Sequence, residues 1–244
     1  MKTNETGTLY IIATPIGNLG DITYRAVETL QTLDILYCED TRDSQTLLKK
    51  YGLFIPELRS YHAQSTDIVP ESIKKELALG RKIGYITDAG TPGVSDPGSR
   101  LVQVVRDSEI PFTIIPIPGV SAFLTLLSVS GFDTHQFQYL GFIPSKKGRK
   151  TFIENILESE LTTVFYESVH RFLACIESIA EYEESQDYDF CIGRELTKMH
   201  ETIYRGNISD ILEHFKSHAE ELRGEFVIAL SKKHLQKEHE KEEL

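Results

Sequence analysis

Apolar, β-prone runs alternate with helical patterns through the first half of the chain. Leu9–Ala13 reads as a strand before a helix over Ile22–Leu33, and Asp34–Cys38 as a strand before a helix over Ser44–Tyr51. The same pairing recurs at Lys82–Thr87 with Pro97–Arg106 and at Phe112–Ile115 with Ser121–Ser130. Strand and helix in alternation favour a mostly parallel sheet covered by helices. From about Thr134 the pattern restarts: Phe137–Ile143 as strand, Gly148–Leu157 as helix, Thr162–Tyr166 as strand and Val169–Tyr182 as helix. Strands at Phe190–Glu195 and Glu201–Tyr204 follow, then a helix near Ser209–Lys216 and a last strand at Glu225–Ser231. A short turn joins two of these strands, which makes them antiparallel and the second sheet mixed. The reading is therefore two α/β domains, residues 8–118 and 119–232, with a tail at 233–244.

Composition sharpens this division. All nine prolines fall between Pro15 and Pro144, so loops concentrate in the first part. With 244 residues and 40% hydrophobic content, each of two domains can fill a core. No apolar run approaches the roughly 20 residues that span a bilayer, and Met1-Lys2-Thr3-Asn4-Glu5 lacks the flank of a signal peptide, which predicts a cytoplasmic protein with no membrane partner. Cys38, Cys175 and Cys191 are too scattered for a disulfide framework or a zinc site, so no metal is expected. A net charge of −11 argues against indiscriminate nucleic-acid binding, which neutralises phosphates, but leaves room for a local basic patch. The run Glu181–Asp189, with five acids and no base, reads as a solvated loop.

Four loops follow predicted strands, where open α/β sheets bind ligands. Thr14-Pro15-Ile16-Gly17-Asn18-Leu19-Gly20-Asp21 lacks the G-x-G-x-x-G fingerprint, which disfavours a nicotinamide dehydrogenase. Its residues alone leave open a ligand loop or a tight turn capped by Asp21. Cys38-Glu39-Asp40-Thr41-Arg42-Asp43 can hold a hydroxyl or ammonium group, or can be a helix cap in which Asp40 pairs with Arg42. The third, Thr87 to Arg100, combines three glycines, two prolines and two aspartates in a stiff, backbone-exposed cradle, without the Lys of a phosphate loop. Within it, Asp96-Pro97 reads as a capped helix start. Pro116-Ile117-Pro118-Gly119-Val120-Ser121-Ala122 enters a helix whose free N–H groups can receive an anion.

Taken together, these segments resemble the tetrapyrrole methylase superfamily, and within it the small-subunit rRNA (cytidine-2′-O)-methyltransferase I branch. The matching stretches are Thr14 to Leu19, Glu39 to Arg42, Thr87 to Gly98 and Pro118 to Ala122. Phe165-Tyr166-Glu167-Ser168-Val169-His170-Arg171 and Gly193 to Glu201 match as well, in order, from about Thr8 to Leu230. The resemblance implies a two-domain tetrapyrrole-methylase-like fold with S-adenosylmethionine as cofactor in a cleft between the domains. It implies 2′-O-ribose methylation of a cytidine in small-subunit (16S) rRNA, as free rRNA or as the assembled small ribosomal subunit, by a homodimer. A small precorrin-type tetrapyrrole substrate, or a catalytically silent cofactor-binding relative, are the alternatives. By similarity, Pro15, Ile16, Gly17, Asp88, Ala89, Gly90, Thr91, Ser121, Ala122, Tyr166, Glu195 and Leu196 contact the cofactor. Val120 and Val169 stand where members typically carry Pro, which leaves both turns less rigid, and many members continue for some tens of residues beyond the last strand.

A ribose hydroxyl is a poor nucleophile, so a base or an alkoxide-stabilising cation is expected beside the cofactor. Glu167, Arg171, Glu195 and Lys198 are the catalytic candidates, with Glu201, Asp21, Glu39, Asp40 and Arg42 behind them and His170 and His200 as further proton carriers. Lys146-Lys147-Gly148-Arg149-Lys150, with four cations in five residues, is the RNA-binding candidate; the bland alternative is a solvated helix start. Aromatic side chains near the site can stack an unpaired base.

Overall fold

The structure is a computed structural model that describes residues 6–65 and 68–233, and it divides into two compact units, Met1–Ser121 and Ala122–Leu244. The expected tail at 233–244 lies, beyond Lys233, outside the described residues.

The first unit holds β1 (Gly7–Ile12), α1 (Tyr24–Gln31), β2 (Ile35–Cys38), α2 (Thr41–Lys50), β3 (Glu57–Ser60), α3 (Ile68–Ala78), β4 (Lys82–Ile86), α4 (Gly98–Arg106) and β5 (Phe112–Ile117). Its strands form one parallel sheet in the order β3-β2-β4-β1-β5. The period-2 pattern divides the core between the two faces. Leu9, Ile35, Tyr37, Ile83 and Tyr85 pack with Ile73 and Leu77 of α3 and Leu101 and Val105 of α4. On the opposite face Ile12, Leu36, Cys38 and Ile86 pack with Ala26 and Leu30 of α1 and Leu48 of α2.

Two elements depart from the sequence reading, which has neither β3 nor α3. Glu-Leu-Arg-Ser at β3 has one apolar residue, because an edge strand buries little; its Arg59 instead pairs with Glu57 and Glu76. At the start of α4 the helix begins at Gly98 with Pro97 as its cap residue. The Asp96 carboxylate accepts from Gly98 N–H at 2.7 Å and also from Gly93 and Val94 N–H, so it staples the preceding loop as well as the first turn.

The second unit holds α5 (Ala122–Ser130), β6 (Phe137–Phe142), α6 (Arg149–Glu158), β7 (Thr162–Glu167), α7 (Val169–Ala180), β8 (Tyr188–Arg194), β9 (Thr202–Gly206), α8 (Ile208–Ser217) and β10 (Phe226–Lys232). The sheet order is β6-β7-β10-β8-β9; β6 and β7 are parallel and the remaining pairs antiparallel, which makes the mixed sheet. One face packs Phe165, Phe190, Ile192, Phe226 and Ile228 against α6, α7 and α8. The other takes α5, whose Leu126 Cδ1 would stand 3.0 Å from a Cβ at Gly193, tighter than ordinary van der Waals contact. Among the described residues no helix is long and apolar enough to cross a membrane.

Candidate active site

In the first unit the chemistry-bearing loops leave the carboxyl ends of β1, β2, β4 and β5. The loop after β1 and the loop after β4 are joined by a two-way backbone bridge, Thr14 N–H to Gly90 O at 2.9 Å and Gly90 N–H to Thr14 O at 3.1 Å. The buried Thr14 hydroxyl adds a bond to Thr87 O at 3.1 Å. Gly90 makes this contact at φ +82, a conformation that glycine adopts without a steric penalty. The loop after β5 is drawn in by the Thr91 hydroxyl, which donates to Val120 O at 2.9 Å. A Cβ on Gly119 would stand only 2.8 Å from the Ala13 Cβ, so the loops after β1 and β5 are in backbone-level contact. Finally, Asp40 N–H donates to Asp88 Oδ1 at 3.0 Å, which ties the loop after β2 to the others.

Ile16, Gly17, Asp88, Ala89, Gly90, Thr91 and Ser121, spread over more than a hundred residues of chain, therefore belong to one hydrogen-bonded cluster of loops. Pro15, Ile16 and Gly90 are buried under it, while Gly17, Asp88 and Ala89 are exposed at its rim. Ala122 opens α5 at the start of the second unit. The turn reading also holds in part: Asn18, rather than Asp21, caps the short 3₁₀ turn at Leu19–Asp21 by accepting from Gly20 N–H. Asp40 caps α2 and pairs with Arg42, which holds its carboxyl down at about 2.

Beneath these loops lie polar atoms that find no hydrogen-bond partner among the described residues. Tyr85 is fully buried with an unpartnered hydroxyl, and Oε1 of Glu39 is likewise buried and unpartnered. Burial pushes the Glu39 carboxyl up, and the nearby Asp88 and Asp96 carboxylates add to the effect. The Tyr85 phenol is raised by burial and then by Asp96 and Glu39. The residue types are those of a site for a ligand rich in hydrogen-bond donors: carboxylates and exposed backbone. They fit S-adenosylmethionine, whose ammonium and ribose hydroxyls donate hydrogen bonds. Among the described residues no group of His, Cys, Asp and Glu could hold a metal ion.

In the second unit Tyr166 is half-buried at the end of β7, with its ring 5.4 Å from Tyr139 and 5.2 Å from Phe142. Glu167 beside it is fully buried and engaged on both oxygens. Arg149 Nη1 donates to Oε2 at 2.8 Å, Arg171 Nη2 lies 2.8 Å from Oε1, and Ser168 N–H donates to Oε1 at 2.7 Å. Arg149, from the RNA-binding candidate segment, thus turns inward and also donates to Pro144 O, while Lys146, Lys147 and Lys150 face solvent. Lys150 is 3.6 Å from Glu154.

The Arg194–Glu201 segment is held in an unusual backbone. Glu195 and Thr197 have φ values of +50 and +67, a region where β-branched residues are rarely found. Glu195 accepts from Lys198 Nζ at 2.9 Å and from Glu225 N–H at 2.9 Å. Burial alone would raise its carboxyl, but these donors outweigh it and hold it below the ordinary range; burial likewise works against the Lys198 ammonium, which Glu195 and Glu225 hold above its ordinary value. Leu196 is buried against Gly193. The catalytic candidates therefore form two separate clusters, Glu167 with Arg171 and Glu195 with Lys198. Phe142 escapes the sequence reading as a site residue because nothing in its neighbours shows that it faces out.

Comparison with known proteins agrees with this architecture. Ribosomal RNA small subunit methyltransferase I of Synechocystis sp. is 38% identical over 226 residues, covering 92% of this chain and 79% of that protein. The protein of the same name from Leptospira biflexa is 40% identical over 231 residues, covering 93% and 92%. Among solved structures, diphthine synthase superposes with a TM-score of 0.71 at 12% identity, over 95% of this chain and 94% of that one. Cobalt precorrin-4 methyltransferase gives 0.65 at 15% identity, over 94% and 97%; both show a shared fold. Residues 8–212 match the model of the Tetrapyrrole (Corrin/Porphyrin) Methylases, and with the parallel and mixed sheets and the clustered loops already described, the chain belongs to that family.

Proposed function

We propose that this protein methylates the ribose 2′-hydroxyl of a cytidine in small-subunit (16S) rRNA, working in the cytoplasm as a homodimer. What carries the proposal is the identity of 38–40% over more than nine-tenths of the chain to methyltransferases named for small-subunit rRNA. The protein is a methyltransferase, and S-adenosylmethionine supplies its methyl group as an electrophilic sulfonium. The loop cluster of the first unit, with Pro15 to Gly17, Asp88 to Thr91 and Ser121, holds that cofactor in this reading; Ala122, Tyr166, Glu195 and Leu196 of the second unit complete the contacts. Asp88 is fixed by the Asp40 N–H before any ligand arrives, which spares the ordering cost on binding.

The acceptor hydroxyl must lose its proton as the new C–O bond forms. Glu167 has both oxygens taken by guanidinium groups, and Glu195 is held by Lys198 and a backbone N–H. Oε1 of Glu39 has no such partner among the described residues, and burial beside Asp88 and Asp96 raises its carboxyl, so Glu39 is the proton acceptor in this reading. Lys146, Lys147 and Lys150 neutralise RNA phosphates. The test is transfer of radiolabelled methyl to small ribosomal subunits that lack the modification, followed by mapping of the modified nucleotide. Label on one cytidine ribose supports the reading; label on a precorrin instead, or cofactor binding without transfer to either, overturns it. Glu39→Gln is expected to keep cofactor affinity and lose at least 100-fold in kcat, the lower end of a general base's contribution at roughly 10²–10⁴.

A further inference from the structure

β6 contains an irregularity that places an aromatic ring. Its pairing with β7 runs Phe137 to Thr162 and Tyr139 to Val164, then jumps to Phe142 opposite Tyr166. Three steps on β6 thus match two on β7, which is a β-bulge, and Gly141 within it has φ +63. In a regular strand residues 139 and 142 would point to opposite faces. The bulge instead puts Phe142 on the same face as Tyr139 and Tyr166. There the rings of Phe123 and Tyr139 stack at 4.4 Å, Tyr139 meets Tyr166 at 5.4 Å, and Phe142 ends the row 5.2 Å from Tyr166. Phe142 alone in this row is strongly exposed, at 57%.

Four residues further on come Lys146 and Lys147, both exposed, in a chain whose net charge is −11. Four residues of chain span at most about 14 Å, so Phe142 and the start of the lysine pair lie within reach of one bound strand. An exposed aromatic at the end of a rigid aromatic row, with local positive charge nearby on an acidic protein, is complementary to a single-stranded polyanion with flat bases.

We propose that Phe142 is a base-stacking platform that receives an unpaired nucleotide of the RNA substrate, with Lys146 and Lys147 on the adjoining phosphates. This deepens the function proposed above and rests on it for the identity of the natural RNA, though not for the stacking itself. Phe142 is a positioning residue here: it holds a base and takes no part in proton or methyl transfer.

The chain contains no tryptophan, so Phe142→Trp installs a single reporter at the site. Titration of that variant with oligocytidylate is expected to quench its emission, with an affinity that falls as salt rises and falls further in the background of Lys146→Ala with Lys147→Ala. Phe142→Ala is expected to raise KM for unmodified small subunits roughly 5- to 150-fold, the range for loss of one base–aromatic stack. Its kcat and its S-adenosylmethionine affinity should stay unchanged, and Phe142→Tyr should restore KM where Phe142→Leu does not. Emission indifferent to oligocytidylate overturns the proposal. So does a blue-shifted emission that tracks protein concentration and ignores RNA, which would assign this face to a second copy of the chain. Failure of the wild-type protein to methylate small subunits would remove the proposed function, while quenching by oligocytidylate would still decide the stacking.

Discussion

The Glu167 cluster allows a strong test of whether its residues hold the second unit together or carry the reaction. The Glu167 side chain is 0% exposed, that of Arg149 17% and that of Arg171 35%. Replacing Glu167 by Ala leaves two guanidinium groups facing each other, one of them well buried, and strands the Ser168 N–H. Removal of one partner from a buried pair costs roughly 3–5 kcal/mol. Arg149→Ala loses charged hydrogen bonds to Glu167 and Pro144 O and should cost about 2–3 kcal/mol. Arg171 is a third exposed, so solvent screening reduces its share to about 1 kcal/mol or less. The expected order is thus Glu167→Ala, then Arg149→Ala, then Arg171→Ala. At about 4 °C per kcal/mol for a unit of this size, the first should lower Tm by roughly 12–20 °C. Urea unfolding followed by circular dichroism measures the series, and a Glu167–Arg149 double-mutant cycle should return a coupling of at least about 1 kcal/mol. Methyl transfer assayed well below each variant's Tm should retain most of its kcat in Glu167→Ala. The reasoning is refuted if Glu167→Ala unfolds like the wild type while its kcat collapses; Glu167 would then act on the substrate directly.

Three further outcomes follow from the geometry. Gly119→Ala forces a Cβ to within 2.8 Å of the Ala13 Cβ; overpacking of this kind costs roughly 1–3 kcal/mol, and titration calorimetry should show S-adenosylmethionine binding weakened about tenfold or more. Burial raises all three thiols, Cys175 to about 12 and Cys191 to about 11, so the folded protein should not react with a thiol reagent at pH 8, while the unfolded chain should release three equivalents. Arg42 holds the Asp40 carboxyl at about 2 against an ordinary 3.8, so its stabilising effect is complete above pH 4 and is lost as pH falls toward 2. Asp40→Asn should therefore lower Tm above pH 4 and converge on the wild type near pH 2.

Most elements of the two sheets were legible in the order of the residues, and the reason is periodicity. β1, β2 and β4 bury both faces and read as continuous apolar runs, while α1 and α4 repeat apolar residues at helical spacing. The loops after β1 and β4 announced themselves by composition, because glycine and proline are needed where backbone must turn tightly or approach closely. β3 escaped since an edge strand held by the ion pairs of Arg59 needs no apolar pattern. Contacts between distant residues were equally out of reach. The bridge from Thr14 to Gly90, the bond from Asp40 N–H to Asp88 and the turn of Arg149 onto Glu167 depend on which strands lie side by side. Strand order is settled by how whole faces pack, which no local stretch encodes. Phe142 shows the same limit at one residue: alternation along β6 assigns it to the face of Gln138 and Leu140, and only the bulge at Gly141, a property of its pairing with β7, turns it to that of Tyr139.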